Sequence, residues 1–149
     1  MPGEYHMVVH VCIFNSTGEM LIQQRQPFKE GFPNMWDITV GGSALAGDTS
    51  QSAAEREVYE ELGYQVNLQH RRPFLTINFP TGFDDIYLVE ENLDISSLRL
   101  QYEEVQKVAW ADCNHIIQLI ERSEFIPYHK SFIALLFDMR KMMGAFLRS

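Results

Sequence analysis

Hydrophobic and polar positions along this chain follow two different periods. Met7-Val-Val-His-Val-Cys-Ile-Phe14 is a nearly continuous apolar run of strand length, and Asn15-Ser-Thr-Gly18 carries the residue types of a turn. Glu19-Met-Leu-Ile-Gln-Gln-Arg25 predicts the returning strand. Residues 27–34, with Pro27, Gly31 and Pro33, predict a loop before a third strand at Trp36-Asp-Ile-Thr-Val40, which Gly41-Gly42 would end. The period then lengthens. Ala54, Val58 and Leu62 recur every fourth residue, predicting a helix capped by Asp48 or Thr49, running to about Leu62 and stopped by Gly63. Further strands fit 72–79, 85–90 and 105–110. Helices fit 114–121 and 128–143, where Met139, Met142 and Met143 would serve helix packing or a flexible interface. Strands grouped before and after one central helix imply a mixed α/β (α+β) chain. With no internal repeat, linker or low-complexity stretch, residues 1–149 read as a single domain.

Composition narrows the function classes. A hydrophobic fraction of 46% and a charged fraction of 21% are ordinary for a folded domain and argue against disorder. The formal net charge of −8 argues against a nucleic-acid partner, since backbone binding needs clustered Lys and Arg to displace counterions. Small anionic substrates stay open where a cation or local basic residues neutralise them. Cys12 and Cys113 lack metal-ligand or redox spacing, so two buried reduced thiols in a cytoplasmic protein are expected. No apolar run approaches the ~18 residues of a membrane span, and the start has no signal-peptide pattern, so no membrane partner is expected.

The chemistry concentrates on the central helix. Glu57, Glu60 and Glu61 stand three and four residues apart, which puts their carboxylates on one helical face. Like charges crowded this way repel by a few tenths of a kcal/mol per pair unless a cation sits among them, and carboxylate oxygens suit magnesium. The stretch Gly42-Ser-Ala-Leu-Ala-Gly-Asp48 precedes them, and after seven intervening residues Arg56 begins the run Arg56-Glu-Val-Tyr-Glu-Glu-Leu-Gly-Tyr64. An acidic surface face would not require glycines and an arginine at such fixed distances.

That run resembles the Nudix box: glycine, five residues, glutamate, seven residues, then Arg-Glu-aliphatic-x-Glu-Glu-x-Gly-aliphatic. It departs from the pattern at Asp48, in place of the first glutamate, and at Tyr64, in place of the last aliphatic residue. The resemblance implies the Nudix fold, a mixed β-sheet sandwiched between α-helices. It also implies metal ligands at Glu57, Glu60 and Glu61 with the carbonyl of Gly41 or Gly42, an acid-orienting role for Arg56, and Mg²⁺, or else Mn²⁺, as cofactor. The implied reaction is hydrolysis of a diphosphate linkage, with Glu57 or Glu61 as base. Asp84, Asp85, Glu103 and Glu104 are the acids outside the box that could take part, each alone reading more readily as a solvated surface acid. Asp48 is expected to cap the helix, aspartate being a better cap than glutamate, with bracing of Arg56 as the alternative.

A second resemblance covers most of the chain. Tyr5 to Gly18, Gln24-Arg25 with Lys29, Phe32-Pro-Asn-Met-Trp36 and Phe125-Ile-Pro-Tyr128 are similar to the type I isopentenyl diphosphate isomerase branch of the superfamily. Arg25 and Lys29 match positions that hold the substrate diphosphate there. His6 matches one of that branch's histidine ligands. The branch also carries a cysteine and a histidine separated by glycine after the third strand, where this chain has Gly41, Gly42 and Ser43. Without that thiol and imidazole, the expectation is a Mg²⁺-dependent hydrolase of a nucleoside diphosphate derivative or related organic diphosphate. An isomerase-like enzyme and a non-catalytic nucleotide-binding module are the alternatives. Trp36, Phe79, Phe83, Tyr87 and Tyr128 are candidates for a stacking face beside the substrate. Relatives in this branch often carry an N-terminal extension, so the strand starting near His6 would leave a sheet edge bare or pair it with a second copy in a homodimer.

Overall fold

The computed structural model describes residues 5–147. The first apolar run forms β1 (His6–Phe14), and its side chains divide by parity between two faces, as a strand requires. Val9, Val11 and Ile13 enter one core; Cys12 and Phe14 enter the other. Next come β2 (Met20–Arg25), β3 (Trp36–Asp37), β4 (Val40–Ser43) and helix α1 (Ser50–Leu62), followed by β5 (Leu75–Phe79), β6 (Gly82–Glu90), β7 (Val105–Ala111), α2 (Cys113–Glu121) and α3 (Lys130–Asp138).

One mixed sheet holds all seven strands in the order β3-β2-β1-β6-β5, with β4 added on β1 and β7 on β2. β1 and β6 run parallel over their full length, from His6 opposite Gly82 to Phe14 opposite Glu90; the other pairings are antiparallel. Helix α1 covers one face through Ala53, Ala54, Val58 and Leu62. Helices α2 and α3 cover the other through Ile116, Leu119, Ile133, Leu136 and Phe137. This is the α/β sandwich expected. Among the described residues no helix is long and apolar enough to cross a membrane.

Several boundaries differ from the expectations, each for a local reason. The third strand splits in two, and Gly41-Gly42 lie within β4, opposite His10 and Val9, instead of ending a strand. β5 begins at Leu75, not residue 72, because Pro73 has no N–H to give the ladder. β6 begins earlier than expected, at Gly82, where any Cβ would collide with the backbone of His6. The last helix ends at Asp138: the Arg140 guanidinium donates to the Phe137 carbonyl at 2.6 Å and takes over from the next turn. Met142 and Met143 therefore lie exposed past the helix and do not pack within it. Most consequentially, β1 is no edge. It has neighbours on both sides, so the bare edge inferred for the strand at His6 does not exist. Cys12 and Cys113 are both free, but only Cys12 is buried.

Candidate active site

Helix α1 begins and ends under tight control. Thr49, not Asp48, is its cap: the Thr49 hydroxyl accepts from the Ser52 amide, and the Ser52 hydroxyl accepts from the Thr49 amide. At the far end Gly63 adopts φ +66° and donates to the Tyr59 carbonyl. The last carbonyls are also occupied, Glu61 by the Gln101 amide and Leu62 by the Arg99 amide, both at 2.9 Å. A helix held at both ends cannot rotate its acidic face.

That face has an internal order. Arg56 is the hub, paired through Nη1 with Asp48, through Nη2 with Glu57 Oε1 at 3.3 Å and through Nε with Glu60 Oε1 at 3.6 Å, while Nη2 also donates to the Ser43 carbonyl at 3.1 Å. Asp48 thus braces Arg56 and also accepts from the Leu45 amide and the Ser52 hydroxyl. The Arg56 hydrogen bond holds its carboxyl below the ordinary aspartate range. The capping role expected for Asp48 is corrected, and the bracing alternative is what the geometry displays.

Glu57 and Glu61 lie one turn apart, within hydrogen-bonding reach of each other. Burial raises the pKa of both, and raises that of Glu61 strongly; the neighbouring charges of Glu57 and Glu104 push Glu61 further in the same direction. Gln23 of β2 opposes this by donating to Glu61 Oε1 at 2.8 Å and to the Thr39 carbonyl at 2.7 Å. Glu60 stays at the rim, half exposed. Gly42 makes the arrangement sterically feasible, since a Cβ there would overlap the Glu57 carboxyl group.

Among the described residues no three His, Cys, Asp or Glu side chains converge as a closed metal cage. Two crowded carboxylates are nonetheless donors that magnesium accepts, because it keeps several waters and often uses only one or two carboxylates. The crowding of the Glu57 and Glu61 carboxyl groups, which raises the pKa of both, fits a divalent cation.

The expected cationic pair separates. Lys29 is bound to Glu104 Oε2 at 2.6 Å. Arg25 donates from Nε to the Gly31 carbonyl at 3.0 Å and has no carboxylate in salt-bridge contact among the described residues. The outside acids separate too. Asp85 is buried against the Thr76 hydroxyl at 2.6 Å, and Asp84 bonds His10. His6 Nε2 lies 2.8 Å from Ser43 Oγ. Of the five aromatic candidates for a stacking face, Tyr87 is buried with its hydroxyl on Ser50, Trp36 lies beneath Lys107, and Phe79 and Phe83 line a separate hollow. Only Tyr128 borders the cavity beside Asp84.

Sequence reasoning missed Gln23, His10 and Asp37. Each is a polar residue in or beside an inward-facing strand, which is the signal that could have found them. His10 stands in the space that a side chain on Gly41 would need. Its Nδ1–H donates to Asp84 Oδ1 at 2.8 Å; burial opposes its positive charge, but that bond and the charges of Asp84 and Asp37 prevail, and its pKa lies above the ordinary histidine value. Burial likewise raises Asp37, against the pull of His10 and of the Tyr128 hydroxyl, which donates to it at 2.7 Å.

Comparison with known proteins agrees with this architecture. The NUDIX domain family model matches residues 4–136. An uncharacterized Nudix hydrolase of Listeria innocua is 48% identical over 139 residues, 93% of this chain and 81% of that protein. An isopentenyl-diphosphate Delta-isomerase of Streptomyces avermitilis is 30% identical over 142 residues, 91% of this chain and 70% of that one. Among solved structures, a Deinococcus radiodurans protein superposes with a TM-score of 0.72 at 24% identity, over 91% of this chain and 85% of its own, which speaks to the fold alone. With a domain match spanning most of its length and relatives aligned over nearly all of it, this chain belongs to the NUDIX domain family.

Proposed function

We propose that this Nudix pyrophosphohydrolase is a Mg²⁺-dependent enzyme that cleaves a diphosphate linkage in a nucleoside diphosphate derivative or related organic diphosphate. The observation that carries the reading is the Glu57–Glu61 pair, one carboxylate part-buried and the other buried, crowded yet braced by Arg56 and Gln23. Glu57 and Glu61, with the Gly41 carbonyl and Glu60 at the rim, would hold the cation. When bound, it offsets charge on the diphosphate oxygens as one P–O bond to the bridging oxygen breaks.

The chain's own residues supply the rest. Arg56, anchored by Asp48, fixes Glu57 through a fork-shaped donor, and Gln23 fixes Glu61. One of these carboxylates removes the proton of the attacking water, whose oxygen forms the new bond to phosphorus; the bridging oxygen leaves with one phosphoryl product. Arg25, with guanidinium N–H groups not used by Gly31, contacts the diphosphate. Lys29 reaches it only by leaving Glu104, so its nearer task is to hold Glu104 beside the site.

The isomerase alternative is weaker, because the His10 imidazole fills the space where a thiol on position 41 would stand. The cross-braced carboxylates count against a non-catalytic module. The test is hydrolysis of a panel of nucleoside and organic diphosphates in Mg²⁺. Glu57→Gln or Glu61→Gln should lower turnover at least about a hundredfold with the circular dichroism unchanged. Parent-rate hydrolysis by both folded variants would overturn the assignment.

A further inference from the structure

Past the end of α3, a cavity of about 200 Å³ opens between the loop before β5, the far end of β6 and residues 139–143. Four cations line it, Arg71, Arg72, Arg140 and Lys141, and no carboxylate does. A chain with twelve Lys and Arg against twenty Asp and Glu thus gathers a third of its cations around one hollow. Among the described residues, none of the four has a carboxylate in salt-bridge contact. Phe74, Leu88 and Met139, from the core under α2 and α3, give the hollow apolar walls, so the repulsion among these charges is screened less than it would be in open water.

Two of the cations are fixed by the backbone. Arg71 Nη2 donates to the Leu88 carbonyl at 2.6 Å, beyond the point where β5 stops pairing with β6, and the Arg71 carbonyl accepts from Gln51 of α1 at 2.9 Å. Arg140 Nη1 donates to the Phe137 carbonyl, and a side chain on Gly18 would stand 3.3 Å from Arg140 Nη2. A carbonyl satisfies an N–H but carries no net charge, so these bonds position the guanidinium groups without neutralising them. Arg140 Nε is buried and has no acceptor among the described residues. A buried donor left unmet is costly, and an anion would meet it.

We infer that this cavity binds a free, compact phosphate anion carrying two or more negative charges, with inorganic diphosphate as the representative ligand. The planar forks of Arg71 and Arg140 are in place before the ligand arrives, so little ordering is lost when they grip its oxygens. Arg72 and Lys141 are exposed and add charge from the solvent side. The volume lies below that of pockets that enclose drug-sized ligands and suits a bare oxyanion better than a nucleotide. The site shares no residue with the acidic face of α1, and the inference does not rest on the reading of Glu57 and Glu61.

Calorimetry on the full chain with sodium diphosphate, in chelator and at fixed ionic strength, tests this. Chelator removes the cation through which the Glu57–Glu61 site would take the same probe. The parent should bind diphosphate and melt higher in its presence. Arg72→Gln combined with Lys141→Gln, at two exposed positions, should weaken binding at least about tenfold with the circular dichroism unchanged. Arg72→Lys, which keeps the charge, should retain most of it. No binding by the parent, parent affinity in the folded double variant, or binding lost in Arg25→Gln and kept in the double variant would each overturn the inference. Binding confined to vesicles of phosphatidylglycerol and phosphatidylcholine, with none to soluble diphosphate, would overturn it too, because the anion would then be a lipid headgroup.

Discussion

Gly42 illustrates how one missing side chain organises a charged site. Its α-carbon packs against the Glu57 carboxyl so closely that even a methyl group has no room. The β4 backbone around it is extended and paired to β1, so the cost of Gly42→Ala falls on Glu57, which must move, and not on the strand. A displacement near 1 Å in a group that positions a reacting atom can cost on the order of a hundredfold in rate. Gly42→Ala should therefore lose about that much turnover while melting close to the parent, as turnover assays and thermal scans on one preparation would reveal. A fully active Gly42→Ala protein would mean that Glu57 is free to work from another position. Gly41 obeys the same steric logic with a different neighbour. There the occupant is His10, and the distinction between the two glycines is invisible in the sequence, because it depends on what packs against each face of β4.

Helix α1 shows what the sequence makes legible and where it stops. Its start near Thr49, its end at Gly63 and its Ala54-Val58-Leu62 stripe follow from residues within a few positions of each other, and all three appear as expected. The acidic face was legible for the same reason: spacing of three and four fixes a helical face without tertiary information. What the sequence withheld is what other strands bring to that face. Gln23 lies 38 residues from Glu61 and Asp84 lies 74 from His10, and only the sheet register joins them. The assignment of Asp48 failed more subtly, since local capping preference competed with an arginine eight residues away and lost. The helix end gives a clean test of local control. Gly63 sits at φ +66° and a Cβ there would lie 2.9 Å from Arg99 Cβ, so Gly63→Ala combines left-handed strain with a clash. It should cost at least about 1 kcal/mol in urea unfolding, with the slope unchanged. No loss would mean that the Arg99 and Gln101 contacts, not the glycine, terminate α1.

The assembled domain carries a conflict between its stability and its chemistry. Two layers of helix and a seven-stranded sheet bury Val9, Val11, Ile13, Leu62 and their neighbours completely, yet the same α1 that seals this core also holds Glu61 out of water with the part-buried Glu57 against it. Packing fixes the backbone, so the carboxylates cannot separate, and the fold meets the cost by holding a proton at Glu61, whose pKa burial raises, until a cation takes its place. Binding to the folded state alone stabilises it by mass action, about 2.7 kcal/mol at a ligand concentration a hundred times Kd. For a domain near this size that corresponds to a rise in melting temperature of about 5–10 °C. The parent should accordingly melt higher in Mg²⁺ than in chelator. Glu61→Gln keeps the size of the side chain and its contact with Gln23 while removing one of the two charges. It should melt higher than the parent in chelator and gain little from Mg²⁺, which separates a strained metal site from a merely damaged one. A Glu61→Gln protein that melts lower than the parent in chelator, and still rises with Mg²⁺ as far as the parent does, would show that the pair neither strains the fold nor holds the ion.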